Sequence, residues 1–292
     1  MGIPAVEDLR RELGDRLFAR VAGPEGPRRR DRIHGTPGPR WFPDGSPVRR
    51  VHGDASMFVG GIRALLLQSL HPLAMAGVSQ HSGFRGDPWG RLQRTSHFLA
   101  VTTFGPAADA EAMVAAVRRI HAGVHGHDTD GTPYDASDPH LLRWVHVAEV
   151  DSFLCAHQRY GARPLDAADA DTYVLQAGRV ARELGVPDPP RSVAELDTVL
   201  ASYRAELRGT PPAREAARFL LLRPPLPLPA RVPYTALSAA AVSLLPGWSR
   251  RMLLLPRLPV TEAVVVRTAG VAVTATIRWA MTPRADVSTA PD

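Results

Sequence analysis

All eleven histidines of the chain fall between His34 and His157, and the long C-terminal remainder has none. A core that needed only to pack would not gather imidazoles in this way, because imidazole titrates near neutrality, moves protons and binds metals. His146 lies in RWVHVAEV, where Trp144, Val145, Val147 and Val150 predict a largely buried helix. A neutral imidazole so placed can give one nitrogen to a haem iron while the other donates to a carbonyl or carboxylate. The plainer alternative is a core histidine satisfied by hydrogen bonds. His157, three helical turns further along the same face, is a second polar point on that wall.

Arg91, Arg94, Thr95 and Phe98 stand at i, i+3, i+4 and i+7, so two guanidiniums, a hydroxyl and an aromatic ring share one helical face. Two cations one turn apart repel unless an anion or carboxylates neutralise them. Haem propionates, a substrate carboxylate or aspartates would serve, and a solvated basic face is the plainer reading. Gln68, His71 and Met75 share another face, which makes His71 a candidate acid/base on a pocket wall; a helix-end histidine bonded to backbone is its alternative. His81 and Ser82 follow in a loop before Asp87.

His121 and His125 form an HxxxH pair followed by His127, Asp128 and Asp130. On a helix such a pair can hold zinc, but Gly123 and Gly126 weaken the helix and the HExxH glutamate is missing. A helix end running into a polar turn is the expectation there. The chain has no GxGxxG after a strand, no Walker A loop, no GxSxG elbow and no ExxH pair of the di-iron type.

The elements that must position these residues read as helices nearly throughout, with no sustained period-two pattern. Residues 23–50 are rich in Pro, Gly and Arg and predict an extended arm or surface loop after an N-terminal helix. An apolar helix is expected from about Ala55 to Val78, kinked near His71 by Pro72. Helices are expected at 88–104 and 139–160, opened by Asp87-Pro88 and Asp138-Pro139. Others are expected at 107–124, 167–184 and 193–208, with two or three more after a proline-rich stretch, and a fraying tail. The expected architecture is one all-α domain: a helix and arm over 1–47, a helical body enclosing a cofactor pocket over 48–283, and a disordered tail over 284–292.

At 292 residues the chain can bury a substantial core. It contains no lysine, so its 35 basic residues are all arginine, which excludes Schiff-base chemistry and a lysine-dependent phosphate loop. The formal charge of +6 permits contact with an anionic surface, but the arginines are dispersed and no nucleic-acid motif is present, so no nucleic-acid role is expected. Cys155 is the single cysteine, which excludes an intrachain disulfide and fits a reducing cytoplasm. Charges at Glu7, Asp8, Arg10, Arg11 and Glu12 occupy the place of a signal-peptide apolar region. The apolar C-terminal run is broken by Arg267 and Arg278 and is expected to pack on the body, with peripheral membrane contact as the alternative.

The segments HGDxxxxxGGxRALLLQxxHPxAxAGVxxHSxF, DPxGRLxRTxxF, DGTPYDAxDPxLLxWVH and LLPGWSRRMLLLP, in this order over about residues 48–283, resemble the rubber oxygenase (latex-clearing protein) and MpaB-like oxygenase catalytic domains. The resemblance implies an all-α fold with a globin-like core and haem b. It places the proximal iron ligand on His146, in VHVAEV, and the distal Arg-x-x-Lys-Thr motif on Arg91, Arg94 and Thr95. It implies oxygen-dependent cleavage of carbon–carbon double bonds in isoprenoid chains. Two departures stand out: the motif's lysine is Arg94, which stays protonated, and 55–86 contains no carboxylate to match the family's proposed base, a place that His71 or His81 could take.

The expectation is therefore a haem-b-dependent oxygenase or related oxidoreductase acting on an apolar substrate with oxygen or peroxide. His146 would hold the iron, Arg91, Arg94 and His157 would line the cofactor, and His71 and Thr95 would serve the reaction. A haem carrier or sensor without turnover, and a zinc hydrolase using the 121–130 segment, are the alternatives from other classes.

Overall fold

In the computed structural model, which describes residues 4–81 and 86–282, the chain is all-α. Its helices are α1 (Pro4–Ala22), α2 (Gly26–Gly35), α3 (Pro47–His52), α4 (Met57–Gln68), α5 (Pro72–His81), α6 (Pro88–Phe104) and α7 (Ala107–His121). After a small hairpin of β1 (His125–His127) and β2 (Pro133–Asp135) come α8 (Pro139–Tyr160), α9 (Ala167–Leu184) and α10 (Val193–Ser202). The chain ends in α11 (Pro211–Leu222), α12 (Leu228–Ser243), α13 (Gly247–Leu253), α14 (Pro259–Thr261) and α15 (Arg267–Met281), the last two joined by a π-helical turn over Glu262–Val266. The tail expected to fray lies outside the described residues.

The Asp-Pro starts hold. Asp87 accepts a hydrogen bond from the Gly90 amide at 2.8 Å and Asp138 from the His140 amide at 2.9 Å, each with proline at the first helical position. Three expectations need correction. The 23–50 segment is not an extended arm throughout, because α2 and α3 form inside it, each with proline in its first turn, where a missing amide costs nothing. Pro72 does not kink one long helix but starts a new one: α4 stops at Gln68, and α5 leaves it at 109°. The His71 carbonyl accepts the Met75 amide at 2.9 Å, so His71 occupies the corner between them. The helix expected over 193–208 ends at Ser202 and tightens into a 3-10 turn over Tyr203–Ala205.

The core is organised around α4 and α8, which run antiparallel. Gly60 lies against Phe153, Arg63 against Asp151, and Gln68 against Val145. A Cβ on Gly60 would stand 2.8 Å from the Phe153 ring and 3.1 Å from its Cα, so only glycine permits this crossing. Arg63, only 3% exposed, bonds the Asp151 carboxylate at 2.6 Å, Ser152 Oγ at 2.7 Å and the Leu244 carbonyl at 3.1 Å, tying α4 to α8 and α12.

Pro259–Met281 is long and apolar enough to cross a membrane by length and composition. It packs on the body through Gly270 and Thr274, and Arg278 clamps Asp54 at 2.9 and 3.0 Å. Val264, Val265 and Val271 remain exposed.

Candidate functional site

His146 sits midway along α8 with Arg143 one turn before it and Glu149 one turn after it. Its ring is half-buried, yet Nε2 is shut off from water and has no hydrogen-bond partner. Burial, reinforced by the charges of Arg182 on α9 and Arg143, pushes the imidazole down to about 4, so it is neutral at physiological pH. A neutral, shielded, unpartnered ring nitrogen is what a haem iron requires of its proximal ligand. Arg143 likewise has a shielded Nε without a partner, and Arg143 and Arg182 together line a cleft of about 680 Å³ with Leu175, Pro189 and Glu195.

Glu149 was not singled out from the sequence. Burial pushes its carboxyl up to about 7, so it holds or releases a proton near neutrality. Its position three residues after His146, on the same helical side, was the available signal.

Beside this part of α8 runs a strip of α4 that the packing leaves open. A Cβ on Gly61 would meet nothing within 4 Å, Leu65 is 41% exposed on an otherwise buried helix, and Gln68 Nε2 donates to the Val145 carbonyl at 3.1 Å. Gly61, Leu65 and Gln68 are at i, i+4 and i+7, hence one face. The unpartnered nitrogen of His146 suits an imidazole that holds a metal-containing prosthetic group.

The α6 residues share a stripe with Thr102. Thr102 is buried and Phe98 packs on the core, but further towards the N-terminus Thr95 is exposed and Arg91 half-buried. Burial, and then the charge of Arg94, lowers the Arg91 pKa. Arg94 is exposed and pairs with Asp87 at 3.2 Å. The two guanidiniums thus differ: one turns towards the body and the other is held at the surface by the helix cap.

His157 is fully engaged. Nε2 meets the Arg163 carbonyl at 3.1 Å and Nδ1 meets Ser56 Oγ at 3.5 Å, joining the end of α8 to the start of α4. His71 is buried at the α4–α5 corner, where its Nε2 lies 3.3 Å from Glu206 and its ring packs near His140, Trp144 and Tyr203. His121 ends α7, while His125 and His127 lie exposed on β1, and Asp128 is taken up by the amides of Asp130 and Thr132. His81 bonds the Tyr134 hydroxyl at 3.0 Å. Among the described residues the ligand-type cluster is His71, His140 and Glu206, not the 121–130 segment.

Two uncharacterised proteins, one of Mycobacterium bovis and one of Mycobacterium tuberculosis, are each 32% identical to this chain over 164 residues, which is 52% of the chain. The aligned region spans only 60% of the length of these curated relatives. No solved structure matches the chain. Residues 49–278 match the profile of the family described as ER-bound oxygenase mpaB/B'/Rubber oxygenase, catalytic domain. That match takes in α4, the α6 stripe and the whole of α8, and the chain belongs to this family of oxygenase catalytic domains.

Proposed function

We propose that the protein is a haem-b-dependent oxygenase acting on an apolar organic substrate with oxygen or peroxide. The observation that carries this reading is the shielded, unpartnered Nε2 of a neutral His146 on α8, the helix against which α4 packs. His146 would hold the iron, and Arg143 and Arg182, whose charges reach its ring, would supply positive charge for propionates or a substrate anion, with Arg91 on α6 as the further candidate. Bound haem would supply the oxygen chemistry, its electronics set by the histidine and what surrounds it.

The chain's own contributions follow from position. Thr95 offers a hydroxyl donor where the α6 stripe opens, and Arg94, anchored to Asp87, keeps a cation at its rim. Glu149, its carboxyl raised to about 7 by burial, would take up or release a proton near neutrality. Leu65 and Val145 give the strip apolar walls suited to a hydrocarbon. His71 belongs to a separate cluster, so this reading assigns the proton-holding group to Glu149. The exposed Leu222, Leu228, Val232, Val260 and Val264 fit a peripheral membrane contact, from which an apolar substrate could be drawn. The single, half-buried Cys155, whose thiol pKa is raised by burial, suits the reducing cytoplasm.

The test is the visible spectrum and pyridine haemochrome of protein expressed with haem precursor, alongside His146→Ala. The expected result is a Soret band with b-type haem in the parent and folded, colourless His146→Ala. Full haem occupancy in His146→Ala, or a well-folded parent that refuses hemin, would overturn the reading.

A further inference from the structure

Three elements distant in sequence bring ligand-type atoms together away from His146. His71 stands at the α4–α5 corner, His140 in the first turn of α8, and Glu206 just after the 3-10 turn that closes α10. Glu206 Oε2 lies 3.3 Å from His71 Nε2 and 2.8 Å from His140 Nε2, and the three ligand atoms all lie within 4.8 Å of one another.

Two features separate this cluster from an ordinary surface ion pair. The first is its buried member: His71 is 2% exposed, and its Nδ1 is shielded and has no partner. If Nε2 carries the proton, it donates to Glu206 and strands a buried acceptor at Nδ1. If Nδ1 carries it, a buried donor is stranded and the Nε2 lone pair faces a carboxylate oxygen. With the proton on Nδ1, a cation between Nε2 and Oε2 turns the facing pair of acceptors into two ligands, while Nδ1–H remains a buried donor as it does without the cation.

The second feature is support behind His140. The Tyr203 hydroxyl bonds the His140 carbonyl at 2.8 Å and stands 3.4 Å from Nδ1, and its ring lies against the His140 ring with centroids 4.6 Å apart. This holds the imidazole with Nε2 turned towards Glu206, as outer partners of metal-bound histidines do.

We propose that His71, His140 and Glu206 bind a divalent transition-metal ion, with solvent completing its coordination. Two imidazole nitrogens and one carboxylate favour zinc over magnesium or calcium, which prefer all-oxygen shells. The His140 and Glu206 side chains are 51% and 42% exposed, so the ion has an entry path and an open position. Bound there, it pins the α4–α5 corner and the exit of α10 to the first turn of α8, the helix that carries His146. The proposal is independent of the haem reading, because none of its ligands serves that site.

The test uses the full chain stripped with EDTA and dialysed, titrated calorimetrically with zinc chloride, with metal content read by mass spectrometry and cobalt(II) as a visible probe. The parent should bind one equivalent of zinc and give a cobalt d–d spectrum of low coordination number. In His140→Ala and Glu206→Gln, both surface changes that spare the buried His71, affinity should fall more than about 100-fold, beyond the 10–100-fold that loss of an outer partner such as Tyr203→Phe costs. His125→Ala with His127→Ala should leave the equivalent in place. A parent that binds no zinc, variants that bind as the parent does, or loss of the equivalent on changing His125 and His127 would overturn the proposal. Zinc and iron are measured separately, so the result stands whether or not His146 holds haem.

Discussion

The two halves of α8 treat buried polar groups in opposite ways. From Asp151 to Tyr160 the groups are paired: Asp151 with Arg63, Ser152 with Arg63 and the Ala148 carbonyl, His157 with Arg163 and Ser56, and the Tyr160 carbonyl with Arg278. From Arg143 to Glu149 the pairing is incomplete: Trp144 Nε1 donates to the Gln68 carbonyl at 3.2 Å, but Arg143 Nε and His146 Nε2 lack partners, and the Glu149 carboxyl is driven up to about 7 by burial. An unpaired buried polar group costs about 1–3 kcal/mol. The proposed role of His146 rests on this contrast between a half whose buried groups are paired and one that leaves two buried nitrogens without partners.

The most severe way to break this contrast is Arg63→Ala. It leaves Asp151 without its cation and should cost about 3–5 kcal/mol, read from urea denaturation. A loss under about 1 kcal/mol would mean that the paired half is not locked as described.

His52 sharpens the contrast through pH. It wedges between Phe153 and Tyr173, bonds Thr103 Oγ1 at 2.8 Å, and burial, then the charge of His157, lowers it from 6.5 to about 4. Between those values the unfolded chain binds a proton that the folded chain refuses, so this group's stabilisation is lost as pH falls, by up to about 1.4 kcal/mol per pH unit. Glu149 works in the opposite sense, since its raised carboxyl favours the folded state as pH falls from about 7 towards 4.5. Comparing unfolding free energies at neutral and mildly acidic pH, His52→Gln should show a larger gain, or a smaller loss, on acidification than the parent. Equal pH slopes would remove His52 from the account.

His146→Ala and His157→Ala should dissociate cleanly. The former is expected to lose haem with stability nearly unchanged; the latter to keep haem and lose about 1–3 kcal/mol. The reverse pattern would exchange the roles of the two halves.

The adjacent glycines of α4 give the smallest effects. Gly60→Ala should destabilise, because Phe153 Cα and the Ser152 carbonyl stand within 3.1 and 3.2 Å of the new Cβ and backbone cannot yield cheaply. Gly61→Ala should gain up to about 1 kcal/mol in haem-free protein from helix propensity. Gly61→Leu should lower haem content, and full occupancy would place the cofactor elsewhere.

Much of this was legible in the sequence. Asp87-Pro88 and Asp138-Pro139 set the starts of α6 and α8 because a cap and a fixed φ are local properties. The largely buried helix that carries His146 was legible from the apolar residues around it. The break at Pro72 was not, since proline can kink a helix or start one, and the surrounding packing selects between them. Glu149 was passed over because its proton affinity comes from burial, which one helix cannot reveal.

By itself, the sequence determined the all-α class, the caps, the family, and the supply of imidazoles and guanidiniums, because these depend on residue type and short spacing. Only the tertiary structure decided which imidazoles are used up and which are left over. His157 is satisfied by Ser56, 101 positions away, and His71 meets Glu206 across 135 positions. A helical period says which side of a helix a residue faces. What stands opposite is set by how distant segments pack, and hydrogen-bond satisfaction depends on that.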